Sequence, residues 1–360
     1  MIKRQLNVCV VGCGALGTVH AEAWQRLPNA KVVAVVDIIE ARAKILAEKC
    51  GLDEWYLNHR DVPLEGVDVV SVCVPTCSHS EISVYAAEHG KHVISEKPIA
   101  LTLEGAEAMI KAAEENGVKL ALGFMRRHSP ILPAMRAWLS AGQLGRPVLY
   151  QATDFREIRP KIEMHDANAN GGPVIDMGVH LFDLWAYIFD AEPVEVFARG
   201  LTFGEGRAEL ASVSEIACET ATITVTYASG DIGVFNVCWG LPPTVTPPSA
   251  RDQILGANGF AEAFYARDHQ EIRALYEVAG SVFDEQDEPA SDEPPLEERW
   301  QIVASSRQDM YRREIANFAH CIQNDLTPLA GGAEGLRALR VALGAMESIR
   351  TGKIVRLQSE

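Results

Sequence analysis

Residues 6–17 read LNVCVVGCGALG, and the fold turns on this stretch. Leu6–Val11 is an apolar run that ends at a glycine, and Ala15–Leu27 follows with helical spacing. Gly12, Gly14 and Gly17 therefore occupy the turn between a strand and a helix. In that context G-x-G-x-x-G has a mechanism. The glycines allow a tight turn and close approach of the backbone to a pyrophosphate, and the helix N-terminus favours the anion. Asp37 closes a second strand, Lys31–Val36, 20 residues after Gly17. A carboxylate there accepts hydrogen bonds from the hydroxyls of a ribose. Gly12, Gly14, Ala15, Leu16, Gly17 and Asp37 thus predict a dinucleotide site. Ile38 and Ile39 offer no cation to a ribose 2′-phosphate, and Arg42 lies a turn further on, so NAD is expected ahead of NADP.

Beyond this unit the alternation continues. Val67–Val74, His92–Ser95 and Lys119–Gly123 read as strands; Glu40–Cys50, Ser78–His89 and Thr102–Asn116 read as helices. Near-continuous β-branched runs such as Val69–Val74 suit strands buried on both faces, which means a parallel sheet. Residues 1–124 are therefore expected to form a doubly wound Rossmann domain. After Arg126 the rhythm changes. A helix at Ile131–Ala141 and a strand near Val148–Phe155 precede a polar loop and a helix from about Pro173 to Phe189. Strands at Val194–Thr202, Glu215–Tyr227 and Asp231–Trp239 follow, the last two joined at Ser229–Gly230. Residues 125–360 are expected to form an α+β domain with an open, mainly antiparallel sheet, closed by helices near Arg307–Gln323 and Ala333–Arg350. Segment 284–298 carries eight acids, three prolines and no base, and predicts an exposed loop.

Composition narrows the function. The 360 residues carry a net charge of −16, which repels nucleic-acid backbones and anionic lipid. No apolar run reaches the roughly 18 residues of a membrane span. The N-terminal MIKRQLNVCVVGCG is basic and then apolar, but its apolar part runs into the glycine turn, so it reads as a strand and not a leader. Eight cysteines with no C-x-x-C pair imply a reduced, cytoplasmic protein. No histidine cluster has metal-ligand spacing.

Three further segments carry chemistry. Ser95-Glu96-Lys97-Pro98 follows a strand at the carboxyl edge, where open α/β sheets bind ligands. Val72–Thr76 and Gly123–Arg127 end neighbouring strands and converge on the same crevice. Gly171-Gly172-Pro173 opens a helix on which Asp176 and His180 stand at i and i+4, with Asp183 one turn on.

Together these segments resemble the Gfo/Idh/MocA family of oxidoreductases, which includes glucose–fructose oxidoreductase and inositol dehydrogenase. Glu96-Lys97-Pro98 combined with Asp176-x-x-x-His180 is the specific part of the likeness. The resemblance implies that Lys97 is the catalytic lysine, Asp176 its partner and His180 the proton-transfer residue. It places Pro75, Thr76, His79, Glu96 and Lys97 along the nicotinamide side, and Met125, Arg126, Arg156, Asp176 and His180 beside substrate. Thr76 stands where an asparagine is frequent, and Arg156 where inositol dehydrogenases lead one to expect histidine. The implied activity is hydride transfer between NAD and a secondary alcohol of a cyclic polyol, sugar or sugar derivative. A reductase of another carbonyl, an imine or a dihydrodiol is the alternative on the same fold, and a non-catalytic NAD-sensing regulator the more remote one. Arg126, Arg127, Arg156 and Arg159 flank the crevice in sequence, and the expected substrate is either a neutral polyol or a sugar bearing one acidic group, which Arg156 would hold. The open sheet leaves a face to cover, and the resemblance implies that a second subunit covers it in a homodimer or homotetramer.

Overall fold

The computed structural model describes residues 4–245, 247, 250–265, 270–276, 301–305 and 307–357. The acidic segment 284–298 lies outside them.

The first unit is a five-stranded parallel sheet of β1 (Leu6–Val11), β2 (Ala30–Val36), β3 (Val69–Val72), β4 (His92–Ser95) and β5 (Leu120–Leu122). Its strand order is β2-β1-β3-β4-β5. Strand order reverses between β1 and β3, so the crevice outside their carboxyl ends is the ligand position of such a sheet. The crossover helices are α1 (Ala15–Gln25), α2 (Glu40–Cys50), α3 (His79–Glu88) and α4 (Leu103–Glu115). Strand β3 stops at Val72, two residues short of its apolar run, because Cys73–Thr76 turn along the crevice.

The second unit is a nine-stranded sheet in the order β13-β12-β11-β10-β6-β9-β8-β7-β14. Its members are β6 (Leu149–Glu157), β7 (Pro193–Leu201), β8 (Thr220–Tyr227), β9 (Ile232–Leu241), β10 (Arg251–Gly256), β11 (Gly259–Tyr265), β12 (Gln270–Tyr276), β13 (Gln301–Ser305) and β14 (Val355–Arg356). Neighbours are antiparallel except β6 and β9, which run parallel. Strands β10 to β14 were not anticipated, although Asn258–Gly259 at the β10–β11 turn is a hairpin signal.

Helix α5 (Ile131–Ser140) packs under this sheet, and α6 (Gly172–Asp176) and α7 (Gly178–Phe189) replace the single helix expected from Pro173 to Phe189. The ladder is interrupted at Met177, next to Gly178, a weak helix former. Two closing helices, α8 (Arg307–Asn324) and α9 (Gly332–Thr351), bind the two units together. Helix α8 returns to α1, where Phe318 meets Trp24 edge-on with ring centroids 6.5 Å apart. Helix α9 packs on α4, α7 and β7, and the residues leading into it bond to β5 through Leu122 N and Ala330 O.

Candidate active site

The glycine turn behaves as its spacing demands, with a division of labour among its members. Gly12 has φ +95°, and a Cβ there would lie 2.4 Å from the Cys73 carbonyl oxygen. A Cβ on Gly17 would strike the Gly12 oxygen at 1.7 Å. Both are required by the protein's own packing. A Cβ on Gly14 would meet nothing within 4 Å, so this glycine faces open space. Helix α1 starts there with no side-chain cap and no acid in its first turn, which leaves its amides to an anion. Ala15 and Leu16 are exposed on that turn.

Asp37 is tied into the same turn. Its Oδ2 accepts from Cys13 N at 2.8 Å and its Oδ1 from Ile39 N at 2.8 Å. Each oxygen keeps a second lone pair for a ribose hydroxyl. Ile38 is 87% exposed beside it, and Arg42 is exposed on α2. These residues fit an adenine dinucleotide.

The far side of the crevice is built by Glu96-Lys97-Pro98 and by the segment 158–176. Lys97 Nζ donates to the backbone oxygen of Asp176 at 2.9 Å and to its Oδ1 at 3.1 Å. Asp176 is the last residue of α6, and His180 lies in the first turn of α7, both almost wholly buried. The Phe124 ring meets that of His180 edge-on at 6.2 Å. Asp183 leaves the expected stripe altogether. Past the break at Met177 it pairs with Arg127 in the core, Oδ2 accepting from Nε at 2.8 Å and Oδ1 from Nη2 at 2.6 Å.

Two residues expected to line the nicotinamide side act as braces. His79 is 1% exposed, its Nδ1 2.6 Å from Pro98 O and its Nε2 3.0 Å from Val74 O. Burial lowers its pKa, so the ring is neutral and donates to one of the two carbonyls. Glu96 is buried, taking His20 Nε2 on Oε1 at 3.1 Å and Lys97 N on Oε2 at 3.2 Å. Burial opposes its charge, but His20, Lys97 and His79 outweigh it and hold the carboxyl below its usual range. Burial likewise works against the His20 cation, yet Cys73 and Glu96 raise its pKa well above the usual value. A buried ion pair thus fixes the Lys97 loop from behind. Gly123 is needed beside it, since a Cβ there would sit 2.9 Å from Glu96 Oε2.

Pro75 and Thr76 do reach the crevice wall. Thr76 N donates to Asn170 Oδ1 at 3.2 Å, and Cys77 N to Ala169 O at 3.0 Å, which docks the second unit onto the first. Asn170 carries no motif and was missed; its polar character just before Gly171-Gly172 was the one available signal. Met125 is buried in a 3₁₀ turn after β5, with Arg126 partly exposed beside it. Arg156 commits its Nε to both oxygens of Asp154, at 2.8 and 3.0 Å. Asp154 is 1% exposed and also accepts from Trp239 Nε1 at 2.8 Å.

A doubly wound dinucleotide cradle facing a lysine–aspartate pair and a buried histidine defines an oxidoreductase site. Residues 6–124 match the description "Oxidoreductase family, NAD-binding Rossmann fold", and residues 136–357 match "Oxidoreductase family, C-terminal alpha/beta domain". The chain belongs to the Gfo/Idh/MocA oxidoreductase family. It is similar to scyllo-inositol 2-dehydrogenase (NAD(+)) of Bacillus subtilis, 28% identical over 361 residues that cover 99% of this chain and 97% of the relative. Myo-inositol 2-dehydrogenase of Thermotoga maritima is 27% identical over 355 residues, covering 98% and 99%. Among solved structures, a probable dehydrogenase from Thermotoga maritima superposes with a TM-score of 0.75 at 27% identity, covering 98% of this chain and 99% of that one. Levoglucosan dehydrogenase in complex with NADH and levoglucosan reaches a TM-score of 0.80 at 20% identity, covering 99% and 100%, and shares the fold.

Proposed function

We propose that the chain is an NAD-dependent dehydrogenase that oxidises a secondary alcohol of a cyclic polyol, sugar or sugar derivative. The observation that carries this reading is the Lys97–Asp176 pair, set across the crevice at whose floor Gly14 opens. The names of the inositol dehydrogenase relatives, matched end to end, support the substrate class.

When bound, the nicotinamide supplies the hydride acceptor. The residues of this chain do the rest. Gly12, Gly14, Ala15, Leu16 and Gly17 hold the pyrophosphate, Asp37 the ribose, and Pro75 and Thr76 border the nicotinamide. Met125, Arg126 and Arg156 border the substrate. His180 takes the hydroxyl proton as the hydride leaves carbon, a step worth typically ~10²–10⁴-fold. The Lys97 ammonium stabilises the developing alkoxide, and Asp176 orients Lys97 through two bonds. NAD is preferred to NADP because a 2′-phosphate would meet the Asp37 carboxylate and two isoleucines.

The enzyme is proposed to be a homodimer or homotetramer. The open face of the nine-stranded sheet holds a groove of ≈ 830 Å³, and Phe155, Leu201, Phe203 and Val245 stand exposed along it. Light scattering at micromolar concentration tests this; a monomer mass refutes it. All eight cysteines are free, which fits a cytoplasmic enzyme, and no described helix is long and apolar enough to cross a membrane.

The activity is tested by following absorbance of reduced cofactor with NAD and a panel of inositols, aldoses, uronates and nucleotide sugars. Turnover of one class with NAD is expected. Tight NAD binding without oxidation of any alcohol overturns the reading.

A further inference from the structure

Arg156 lies near the end of β6 and Arg159 just beyond it, and the structure treats them differently. Arg156 spends its Nε on the buried Asp154. Arg159 has a side chain with no hydrogen-bond or ion-pair partner among the described residues, and its Nε is shut off from solvent. Its guanidinium lies over the Trp239 ring, 5.6 Å from the centroid. Asp154 locks that ring through Nε1, so the platform under Arg159 is rigid.

His165 completes the arrangement. It is 0% exposed, and its ring meets Trp239 edge-on at 6.4 Å. Its Nε2 accepts from Arg159 N at 2.9 Å, which places the ring proton on Nδ1. That Nδ1–H is buried and has no acceptor among the described residues. Burial, and then the charge of Arg159, lowers the His165 pKa, so the ring stays neutral and a single donor.

The chain from Arg159 onward leads into the crevice. Segment 158–171 begins at the Ile158–Leu241 backbone bond beside Trp239 and ends with Asn170 bonded to Thr76. Burial and the Arg156 charge lower the Arg159 pKa, against the carboxylates of Asp154, Glu157 and Asp176. A guanidinium cannot shed its proton at any working pH, so a partly buried fork of this kind calls for an anion.

We infer that Arg159 and His165 form a donor-only subsite that binds a carboxylate on the substrate, and that Arg159, rather than Arg156, sets specificity for an acidic sugar. This rests on the dehydrogenase reading above and deepens it. A fork-shaped cation matches a carboxylate through two bonds, whereas a neutral hydroxyl accepts only one and leaves the second donor bare. Arg156 serves the site by neutralising Asp154.

The test compares D-glucose with D-glucuronate and D-galactose with D-galacturonate, using NAD and the full-length enzyme. Arg159→Met keeps an unbranched apolar side chain and removes the fork together with its contact to the Trp239 ring; melting temperature controls for folding. Wild type should use the acid of at least one pair with the higher kcat/KM. Arg159→Met should raise KM for that acid about tenfold or more, with kcat and the neutral sugar changed little. Equal effects on acid and neutral sugar, or none on either, would overturn the subsite. Binding of D-glucuronate and D-galacturonate to the NAD complex, measured by calorimetry, separates the two readings. Carboxylate binding that Arg159→Met abolishes, without any alcohol oxidation, would keep the subsite and sink the dehydrogenase. Oxidation of sugars with carboxylate binding indifferent to Arg159 would do the reverse, and absence of carboxylate binding and turnover alike would remove both.

Discussion

Two cation–carboxylate pairs tie the strand ends of the first unit to the α6–α7 segment of the second, and they are built to opposite specifications. Arg127 meets Asp183 through two parallel bonds, gives a third to Leu329 O at 2.8 Å, and stacks on Tyr187 with 4.7 Å to the ring centroid. Its side chain is 5% exposed and that of Asp183 2%. Lys97 meets Asp176 through one carboxylate oxygen and one backbone oxygen, with 12% of its side chain open to the crevice. The first pair uses a cation that never titrates, saturated on every side. The second uses a compact ammonium with three rotatable donors, which can turn toward a new oxygen. One joint is closed on itself, and the other is the pair proposed to work in the crevice.

The largest effect should come from breaking the permanent pair. Arg127→Ala strands the Asp183 carboxylate in the core and should cost about 3–5 kcal/mol of unfolding free energy by denaturant titration. A loss below about 1 kcal/mol would mean that the pair is not the joint described here. The working pair should show the reverse profile. Lys97→Met and His180→Ala should each lower kcat about a hundredfold or more, while NAD affinity survives and Lys97→Met costs less stability than Arg127→Ala. Near wild-type kcat in His180→Ala would remove it from the proton-transfer role and leave Lys97 as the candidate.

Asp37 sharpens the comparison as a third carboxylate, one whose partners are backbone amides and an expected ribose. Asp37→Ala should weaken NAD binding by about 1.5–3 kcal/mol in calorimetry. Faster turnover with NADP than with NAD in wild type would show that Asp37 is misread. The smallest effect lies beside Arg127. Burial, and then the Arg127 charge, pushes the His128 pKa down to about 4. The folded state therefore resists a proton that the unfolded chain takes up near the ordinary histidine value. Stability from this residue is present above that value and lost as pH falls toward 4. Wild type should lose about 1 kcal/mol or more across this window relative to His128→Gln, and nothing relative to it at pH 7.5. Parallel stability curves for the two proteins would show that His128 is not shielded.

Much of this site was legible because its chemistry is local in sequence. A glycine turn needs its members at fixed offsets whatever surrounds them, and Gly12 and Gly17 are forced by contacts within the same strand–turn–helix unit and the adjoining strand end. Lys97 by its place after a strand would pass for a surface residue, and it is the neighbouring strand ends and the resemblance of Glu96-Lys97-Pro98 that single it out. The helical stripe misled. Asp176, His180 and Asp183 are spaced as one face, yet the break at Met177 parts Asp176, which holds Lys97, from His180 and Asp183 on α7, and Asp183 pairs with Arg127 in the core. Periodicity assumes an unbroken helix, and packing against Arg127 overrode it.

The four arginines illustrate the same boundary. Residue type and place in the chain show that guanidinium groups gather near the crevice, and nothing in their spacing says which are committed. Arg127 is saturated by Asp183, 56 residues away, and by Leu329 O, and Arg156 gives its Nε to Asp154 two residues away. Arg159 is left over a tryptophan 80 positions further along the chain. The sequence by itself determined the glycine turn with Asp37 behind it, the place of Lys97 after a strand, and the two-unit architecture, since each depends on residues close in the chain. Tertiary structure alone decided which cations are paired, because a charge acts through distance in space and is neutralised by whichever carboxylate the fold brings to it.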